Sequence, residues 1–130
     1  MPRYDLHSHS THSDGLLAPA AVVERAVARG VDFLALTDHD DTSGLPEAIA
    51  AAAGTGMTLV PGAELSVSWE SHTIHVIALQ IDPSNPVLEA GLATIRSGRD
   101  SRAKLMAESL AAAGIKGAYE GALKYVGNPE

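Results

Sequence analysis

The N-terminal stretch DLHSHSTHSDG, residues 5–15, concentrates histidines and carboxylates of the kind that bind metal ions. A short buried strand over residues 4–7 would place His7 and His9 on one face, because side chains alternate along a strand. Two neighbouring imidazoles make half of a metal site, and Asp14 adds an oxygen donor after a polar turn. The alternative is that both histidines are core residues whose ring nitrogens are satisfied by hydrogen bonds.

Three more candidate ligands are associated with later strands. Residues 32–37 form a nearly continuous apolar run, typical of a strand buried on both faces, and His39 follows it closely. Glu64 ends the third predicted strand. His75 lies in an apolar strand, residues 73–81, where we expect it to be buried and to need a partner for each ring nitrogen. That partner is either a metal ion or a structural hydrogen bond.

The order of elements places these residues at one edge of a sheet. Helical stretches at 19–30 and 46–53 separate the first three predicted strands, which is the order of βαβ units. Residues 65–69 and 73–81 are then typical of an antiparallel pair. In α/β folds, ligands bind at the carboxyl ends of the strands. We therefore predict an α/β fold with the candidate ligands gathered at that edge.

The donor set predicts a cluster of divalent cations. The chain has no cysteine, so a metal must be held by nitrogen and oxygen donors, which suit Mn²⁺, Fe²⁺ or Zn²⁺. We expect two or three ions, because there are more donors than one ion needs, and manganese is the preferred candidate. Such a cluster activates water and clamps a phosphoryl group, so phosphoester hydrolysis is the predicted reaction. The candidate donors are His7, His9, Asp14, Asp38, His39, Glu64 and His75.

A long helix predicted over residues 87–113 carries two arginines on its apolar stripe. At helical spacing, Arg99 and Arg102 share the face of Leu92. Either their stems cover apolar surface while the charged heads reach water, or both guanidiniums point at a phosphate, which their planar forks fit. A further short helix is predicted over residues 118–126.

Composition limits the classes of function. The 130 residues are 45% apolar, as expected of one modest folded domain, and the formal net charge is −7. This charge argues against reading of DNA grooves, although a nucleotide held at a metal centre fits. With no leader and no apolar run long enough to cross a bilayer, we expect no membrane partner and predict a cytoplasmic location.

The candidate residues fall in four ordered motifs: DLHSHSTHSDG at 5–15, TDHDDTSG at 37–44, PGAE at 61–64 and HTIHVIAL at 72–79. In this order they resemble the motifs of the PHP (polymerase and histidinol phosphatase) family of metal-dependent phosphoesterases. The segments SGRDSR and GNPE are similar to the subgroup of bacterial nucleoside 3′,5′-bisphosphate phosphatases, some of which act as 5′→3′ exoribonucleases. The resemblance spans nearly the whole chain.

The resemblance implies a role for each candidate residue. Arg99 and Arg102 would contact phosphate. Asp38 and Asp40 match the motif, and we expect them to support the shell around His39. The implied metal ligands are His7, His9, Asp14, His39, Glu64 and His75.

Two residues of the first motif are the candidate catalytic groups. Asp14 is a candidate catalytic group because it would be a metal ligand at the reacting centre. His12 lies close enough to the site to be a candidate proton donor to the leaving oxygen. The alternative for His12 is a histidine on a solvent-exposed loop.

The resemblance also implies the architecture. Members of the family form a distorted (β/α)7 barrel with a helical insertion, and a complete α/β barrel takes about 250 residues. We therefore interpret the chain as the N-terminal half of that barrel, residues 1–98, with the start of the insertion, residues 99–130. The half with further ligands is missing, so we expect weak metal affinity, little activity and self-association through open sheet edges.

The predicted function is hydrolysis by metal-activated hydroxide. The expected partner is a small phosphorylated nucleotide, a nucleoside 3′,5′-bisphosphate, or the 5′ end of a short RNA. Two alternatives stay open. One is a phosphatase for another small phosphomonoester, such as histidinol phosphate, and the other is a metal-binding module without turnover.

Overall fold

The computed structural model describes residues 1–125. The strands are β1 (Tyr4–Ser8), β2 (Phe33–Leu36), β3 (Thr58–Trp69) and β4 (His72–Leu79), and the helices are α1 (Pro19–Ala28), α2 (Leu45–Ala52), α3 (Pro86–Ala112) and α4 (Ala118–Leu123). The predicted end of the last helix at residue 126 and the GNPE segment lie outside the described residues. Within residues 1–125, no helix combines the length and the apolar character that crossing a membrane requires.

The four strands form a sheet in the order β1-β2-β3-β4. β1, β2 and the first half of β3 run parallel, and the second half of β3 pairs antiparallel with β4. The third predicted strand and the first strand of the predicted antiparallel pair are therefore one strand of 12 residues. The alternation of strands and helices agrees with the predicted βαβ order.

α1 and α2 pack with β2 to form the core. β2 is buried as predicted, since Leu34 is 1% exposed and Ala35 is fully buried. β1 is exposed, with Tyr4 at 60% and Leu6 at 38%, so the prediction that it is buried was wrong. β1 lies at the edge of the described sheet and pairs there with β2 alone. The buried core consists of Val23, Ala26, Leu34, Leu36, Leu45, Ala48, Ala52 and Met57.

α3 is long but contributes little to this core. It begins after Asn85, whose side-chain oxygen accepts hydrogen bonds from two backbone N–H groups of the first turn. Leu92 is its one buried residue, and Met106 on the predicted apolar stripe is 62% exposed. The predicted division between residues 98 and 99 falls inside this helix and stays a prediction.

Candidate metal centre

Glu64, on β3, is the centre of the cluster. It is 6% exposed. Its Oε2 lies 2.8 Å from Nε2 of His7 and 2.9 Å from Nε2 of His9. The same oxygen is 3.7 Å from Nε2 of His39, and Oε1 is 3.5 Å from Nδ1 of His75. One buried carboxylate therefore faces four imidazoles.

The topology of the sheet explains this convergence. His39 follows β2 and forms a parallel bridge with Glu64, while His7 lies near the carboxyl end of β1. Parallel strands bring their carboxyl ends to the same edge of a sheet. On the antiparallel side, Ser66 pairs with His75, so the ring of His75 shares a face with the side chain of Glu64 two residues earlier.

His75 is half-exposed, and the prediction that it is buried was wrong. Its side chain is 43% exposed, and its neighbours Ile74 and Val76 are 40% and 46% exposed. β4 is the edge strand of the described sheet, with β3 as its partner, so apolar neighbours along the strand do not enclose the ring.

Asp14 reaches the cluster through a tight loop between β1 and α1. Its Oδ1 lies 2.6 Å from Nδ1 of His9, and its Oδ2 lies 3.6 Å from Nε2 of His39. The N–H of Gly15 donates to the carbonyl of Ser10 at 2.9 Å. A Cβ at Gly15 would lie 2.4 Å from the carbonyl oxygen of His9, so only glycine permits this close return of the chain.

Asp38 supports that loop rather than His39. Its buried carboxylate accepts hydrogen bonds from the N–H of Ser10 at 2.7 Å, the hydroxyl of Ser10 at 2.7 Å and the hydroxyl of Ser13 at 2.6 Å. The predicted support of His39 by Asp38 was wrong, because Nδ1 of His39 is buried without a hydrogen-bond partner among the described residues. Ser10 and Ser13 were missed as loop supports, although both alternate with histidines in the first motif.

Asp40 is fully buried and connects α3 to the sheet. Its Oδ1 accepts from the N–H of Ser66 at 2.7 Å, and its Oδ2 accepts from Nη2 of Arg99. The same Nη2 donates to Oγ of Ser66 at 3.0 Å. Nη1 of Arg96 donates to the carbonyl of Asp40 at 2.5 Å and lies 3.6 Å from Oδ2 of Asp41. Asp40 therefore fixes α3. The prediction that it supports His39 was wrong.

The remaining predicted site residues lie outside the histidine cluster. Arg102 is exposed and forms no ion pair within residues 1–125. Nδ1 of His12 lies 2.7 Å from Oγ of Ser43, which donates to Oδ1 of Asp41 at 2.5 Å. The ring of His12 thus contacts Ser43, in the loop that precedes α2.

The charges of the cluster shift the pKa of three of its groups. Burial raises the pKa of Glu64, but the hydrogen bond with His7 and the charges of the histidines outweigh this, so it lies below 4.5. Burial likewise raises the pKa of Asp14, but contacts with His9 and His39 bring it below 3.8. Burial lowers the pKa of His39 below 6.5, and the nearby carboxylates offset this only in part. The lowered pKa values favour the ionised carboxylates of Glu64 and Asp14 and the neutral imidazole of His39, the forms that bind metal ions.

The residues fit a cluster of divalent cations. Histidine nitrogens and carboxylate oxygens are the donors that such ions take in the absence of sulfur. Three overlapping groups have ligand atoms within 4.8 Å of one another, so neighbouring cations would share ligands. The groups are His7, His9 and Glu64; His9, Asp14 and His39; and His39, Glu64 and His75.

Comparisons with known proteins agree with this geometry. A 3′,5′-nucleoside bisphosphate phosphatase of Chromobacterium violaceum is 54% identical over 130 residues, covering 100% of this chain and 46% of that protein. A 5′-3′ exoribonuclease Rnm of Salmonella typhimurium is 47% identical over 123 residues, covering 93% of this chain and 42% of that protein. The chain therefore spans about half the length of the curated relatives it matches.

A solved structure shows the same arrangement of the chain. An amidohydrolase from Chromobacterium violaceum, with bound sulfate and no metal, superposes with a TM-score of 0.89 at 54% identity, covering 98% of this chain and 45% of that one. The predicted fold class, an α/β chain forming part of a PHP barrel, is confirmed. The model of the PHP domain matches residues 5–118. The chain belongs to the PHP domain family.

Proposed function

We propose that this chain is the metal-binding part of a phosphoesterase. Its substrate would be a nucleoside 3′,5′-bisphosphate or the 5′ end of a short RNA. The observation that carries the proposal is the contact of one buried carboxylate, Glu64, with four imidazoles at the edge of the sheet where α/β proteins bind ligands. The names of two relatives, a nucleoside bisphosphate phosphatase and an exoribonuclease, support the choice of substrate.

The six clustered residues would hold the cations. Divalent ions bound there, with manganese as the preferred candidate, would polarise a phosphoryl oxygen and lower the pKa of bound water. Glu64 and Asp14 are ionised at neutral pH because their pKa values are lowered, and His39 is neutral because its pKa is lowered too. These groups need to lose no proton before they bind a cation. The ligands would be His7, His9, Asp14, His39, Glu64 and His75.

Arg99 and Arg102 would contact the phosphate that is not cleaved. Nη2 of Arg99 lies 3.0 Å from Oγ of Ser66, which is the cross-strand partner of His75, so this guanidinium borders the ligand cluster. Arg102 lies about one helical turn further on and is exposed. A similar structure from Chromobacterium violaceum contains bound sulfate, an anion that resembles phosphate in shape and charge.

His12 would donate a proton to the leaving oxygen. Oγ of Ser43 uses its one proton in the hydrogen bond to Asp41, so it accepts from Nδ1–H of His12. This arrangement places the proton of the neutral ring on Nδ1, so Nε2 would donate a proton to the leaving oxygen only from the imidazolium form of His12. We expect His12→Gln to lower kcat more than it changes KM, whereas an exposed loop histidine would change neither.

The direct test is phosphate release from adenosine 3′,5′-bisphosphate with added Mn²⁺. It is measured for the 130-residue chain and for any longer natural polypeptide that contains it. We expect turnover by the longer polypeptide that is abolished by Glu64→Gln. No turnover by the longer polypeptide, or undiminished turnover by it after Arg99→Ala combined with Arg102→Ala, would contradict the proposal.

A substrate panel and elemental analysis separate the alternatives. Faster hydrolysis of histidinol phosphate than of the bisphosphate would identify a small phosphomonoesterase. Bound metal without turnover of any tested phosphoester would identify a binding module. Elemental analysis of the purified protein also tests the predicted manganese, and fractionation of cells tests the predicted cytoplasmic location.

The exposed edge of the sheet supports a further expectation, that the 130-residue chain associates with itself. Ile74, Val76 and Leu79 on β4 are each at least 38% exposed. An apolar edge strand with free backbone groups is a template for pairing. Sedimentation should show association that grows with concentration and that Val76→Lys reduces. A monomer at all concentrations would contradict this expectation.

A further inference from the structure

We propose that Asp40 is a positioning residue that holds the guanidinium of Arg99 beside the ligand cluster. It would thereby orient the face of α3 that contacts phosphate. This inference rests on the proposed phosphate contact of Arg99. It assigns to Asp40 a function in substrate binding without any contact between Asp40 and substrate.

On the sheet side, Asp40 is fixed to two of the metal-ligand segments. It follows His39 directly, and its N–H donates to the carbonyl of Glu64 at 2.9 Å. Its φ is +51°, a left-handed conformation that aspartate tolerates better than most residues, and this turns its carboxylate to the N–H of Ser66 at 2.7 Å. The position of the Asp40 carboxylate is therefore set by the same strands that set the ligands.

On the helix side, two arginines three positions apart on α3 contact the same residue. Arg96 donates to the backbone carbonyl of Asp40, and Arg99 donates to its carboxylate. Residues three apart lie on one face of a helix, so both contacts come from a single side of α3. Leu92, one turn before Arg96, is the one buried residue of the helix. After Leu92, Arg96 and Arg99 connect α3 to the sheet through their polar contacts with Asp40, and Arg99 also contacts Ser66.

The chemistry of the pair explains why Arg99 can bind both Asp40 and a phosphate. A guanidinium has five N–H donors, and the two on Nη2 are directed at Asp40 and Ser66. Three N–H groups remain, and the side chain is 40% exposed, so an oxyanion can reach them. A guanidinium that is already fixed loses less conformational freedom when it binds.

Arg102 gives an internal comparison on the same helix. It is exposed and forms no ion pair within the described part of the chain. Arg102 would therefore supply charge without fixed geometry, whereas Arg99 supplies geometry while its charge is balanced by Asp40.

The first test uses the unaltered chain without added metal. NMR measures the exchange with water of the guanidinium N–H groups of Arg99 and Arg102. We expect exchange about tenfold slower for Arg99, the effect of one charge-assisted hydrogen bond. Equal exchange rates would overturn the inference. This measurement does not depend on the folding of any variant.

The second test uses Asp40→Asn in the Mn²⁺-loaded protein. Calorimetry should show about a tenfold loss of affinity for inorganic phosphate, while affinity for Mn²⁺ changes less than about twofold. Ser66→Ala, which removes only the second acceptor of Arg99, should give a smaller loss of phosphate affinity. Asp100→Asn, the same substitution at an exposed site of α3, is the matched control and should change neither affinity.

A double-mutant cycle identifies the route of the effect. If Asp40 acts through Arg99, Asp40→Asn should weaken phosphate binding little in an Arg99→Lys background. An undiminished effect in that background, or an Asp40→Asn protein with unchanged phosphate affinity, would overturn the inference. If the unaltered protein binds no phosphate, the proposed function fails, and the exchange rates of Arg99 and Arg102 still decide whether Asp40 holds Arg99.

Discussion

The layer of β1, β2, β3, α1 and α2 and the region of α3 and α4 are stabilised in different ways. The layer encloses a core of eight apolar residues. In the helical region, Leu92 is the buried residue of α3, and every residue of α4 is at least partly exposed. Met106 and Leu110, at 62% and 40% exposure, are apolar residues of the kind that a second core would cover.

The two parts of the candidate site, the candidate metal ligands and the candidate phosphate ligands, are therefore held in place in different ways. Candidate metal ligands such as Glu64 and His39 lie on the packed layer, where neighbouring strands fix them. The candidate phosphate ligands Arg99 and Arg102 lie on a helix with few buried apolar contacts, and such segments open locally at low free energy. We therefore expect the geometry of Arg99 to depend on its contact with Asp40, whereas the geometry of the candidate metal ligands should not depend on that contact.

The largest effect is expected where the layer alone is altered. Glu64→Gln removes a charge that faces four imidazoles and should lower Mn²⁺ affinity by at least about 100-fold. Elemental analysis and calorimetry measure it. Glu70→Gln, at the exposed tip between β3 and β4, is the control and should leave the affinity unchanged. Retention of full metal content by Glu64→Gln would contradict the central place of this carboxylate.

A smaller effect is expected at the link between the two regions. Arg99→Ala leaves the buried carboxylate of Asp40 without its cation and should lower the free energy of unfolding by about 1–3 kcal/mol. Arg102→Ala on the same helix should change it by less than about 0.5 kcal/mol, as exposed substitutions do. Urea unfolding measures both. Equal effects of the two substitutions would mean that Asp40 does not connect the regions.

Acid should weaken the layer before it affects the helices. The pKa of His39 is lowered, so the unfolded chain takes up a proton that the folded chain does not, and stability falls as the pH drops below 6.5. The pKa values of Glu64 and Asp14 are also lowered, so their contribution is complete above 4.5 and is lost as the pH falls through their folded values. Urea unfolding without metal, from about pH 8 to about pH 2, measures this. A flat profile would contradict it.

The convergence of the candidate metal ligands could be inferred from the sequence because it depends on local patterns. A strand, helix and strand with short connections bring His7, His39 and Glu64 to one edge of a sheet whatever the details of packing. The exposure of His75 could not be inferred in the same way. The burial of a residue on a strand depends on which other elements pack against that strand. The sequence of the strand itself does not specify those elements.

The roles of the acidic residues after β2 also could not be predicted from the sequence. Asp38, Asp40 and Asp41 lie within four positions of one another and look equivalent in composition. In the structure each one has a different partner: Asp38 contacts the serines of the first loop, Asp40 contacts Arg99 of α3, and Asp41 contacts Ser43. Ser66 carried no signal either, because serine on a half-exposed strand is common.

The smallest effect is expected at the far end of the helical region. The hydroxyl of Tyr119 on α4 donates to Asp100 on α3, and Nζ of Lys104 lies 2.6 Å from the same carboxylate and 5.6 Å from the centre of the Tyr119 ring. All three groups are exposed, so the pairs contribute little to stability. Tyr119→Phe keeps the ring beside Lys104 and removes only the hydroxyl. Amide exchange in α4 should rise by about two- to fivefold, while the unfolding midpoint stays unchanged. A shift of the midpoint as large as that of Arg99→Ala would show that α4 belongs to the same cooperative unit as the layer.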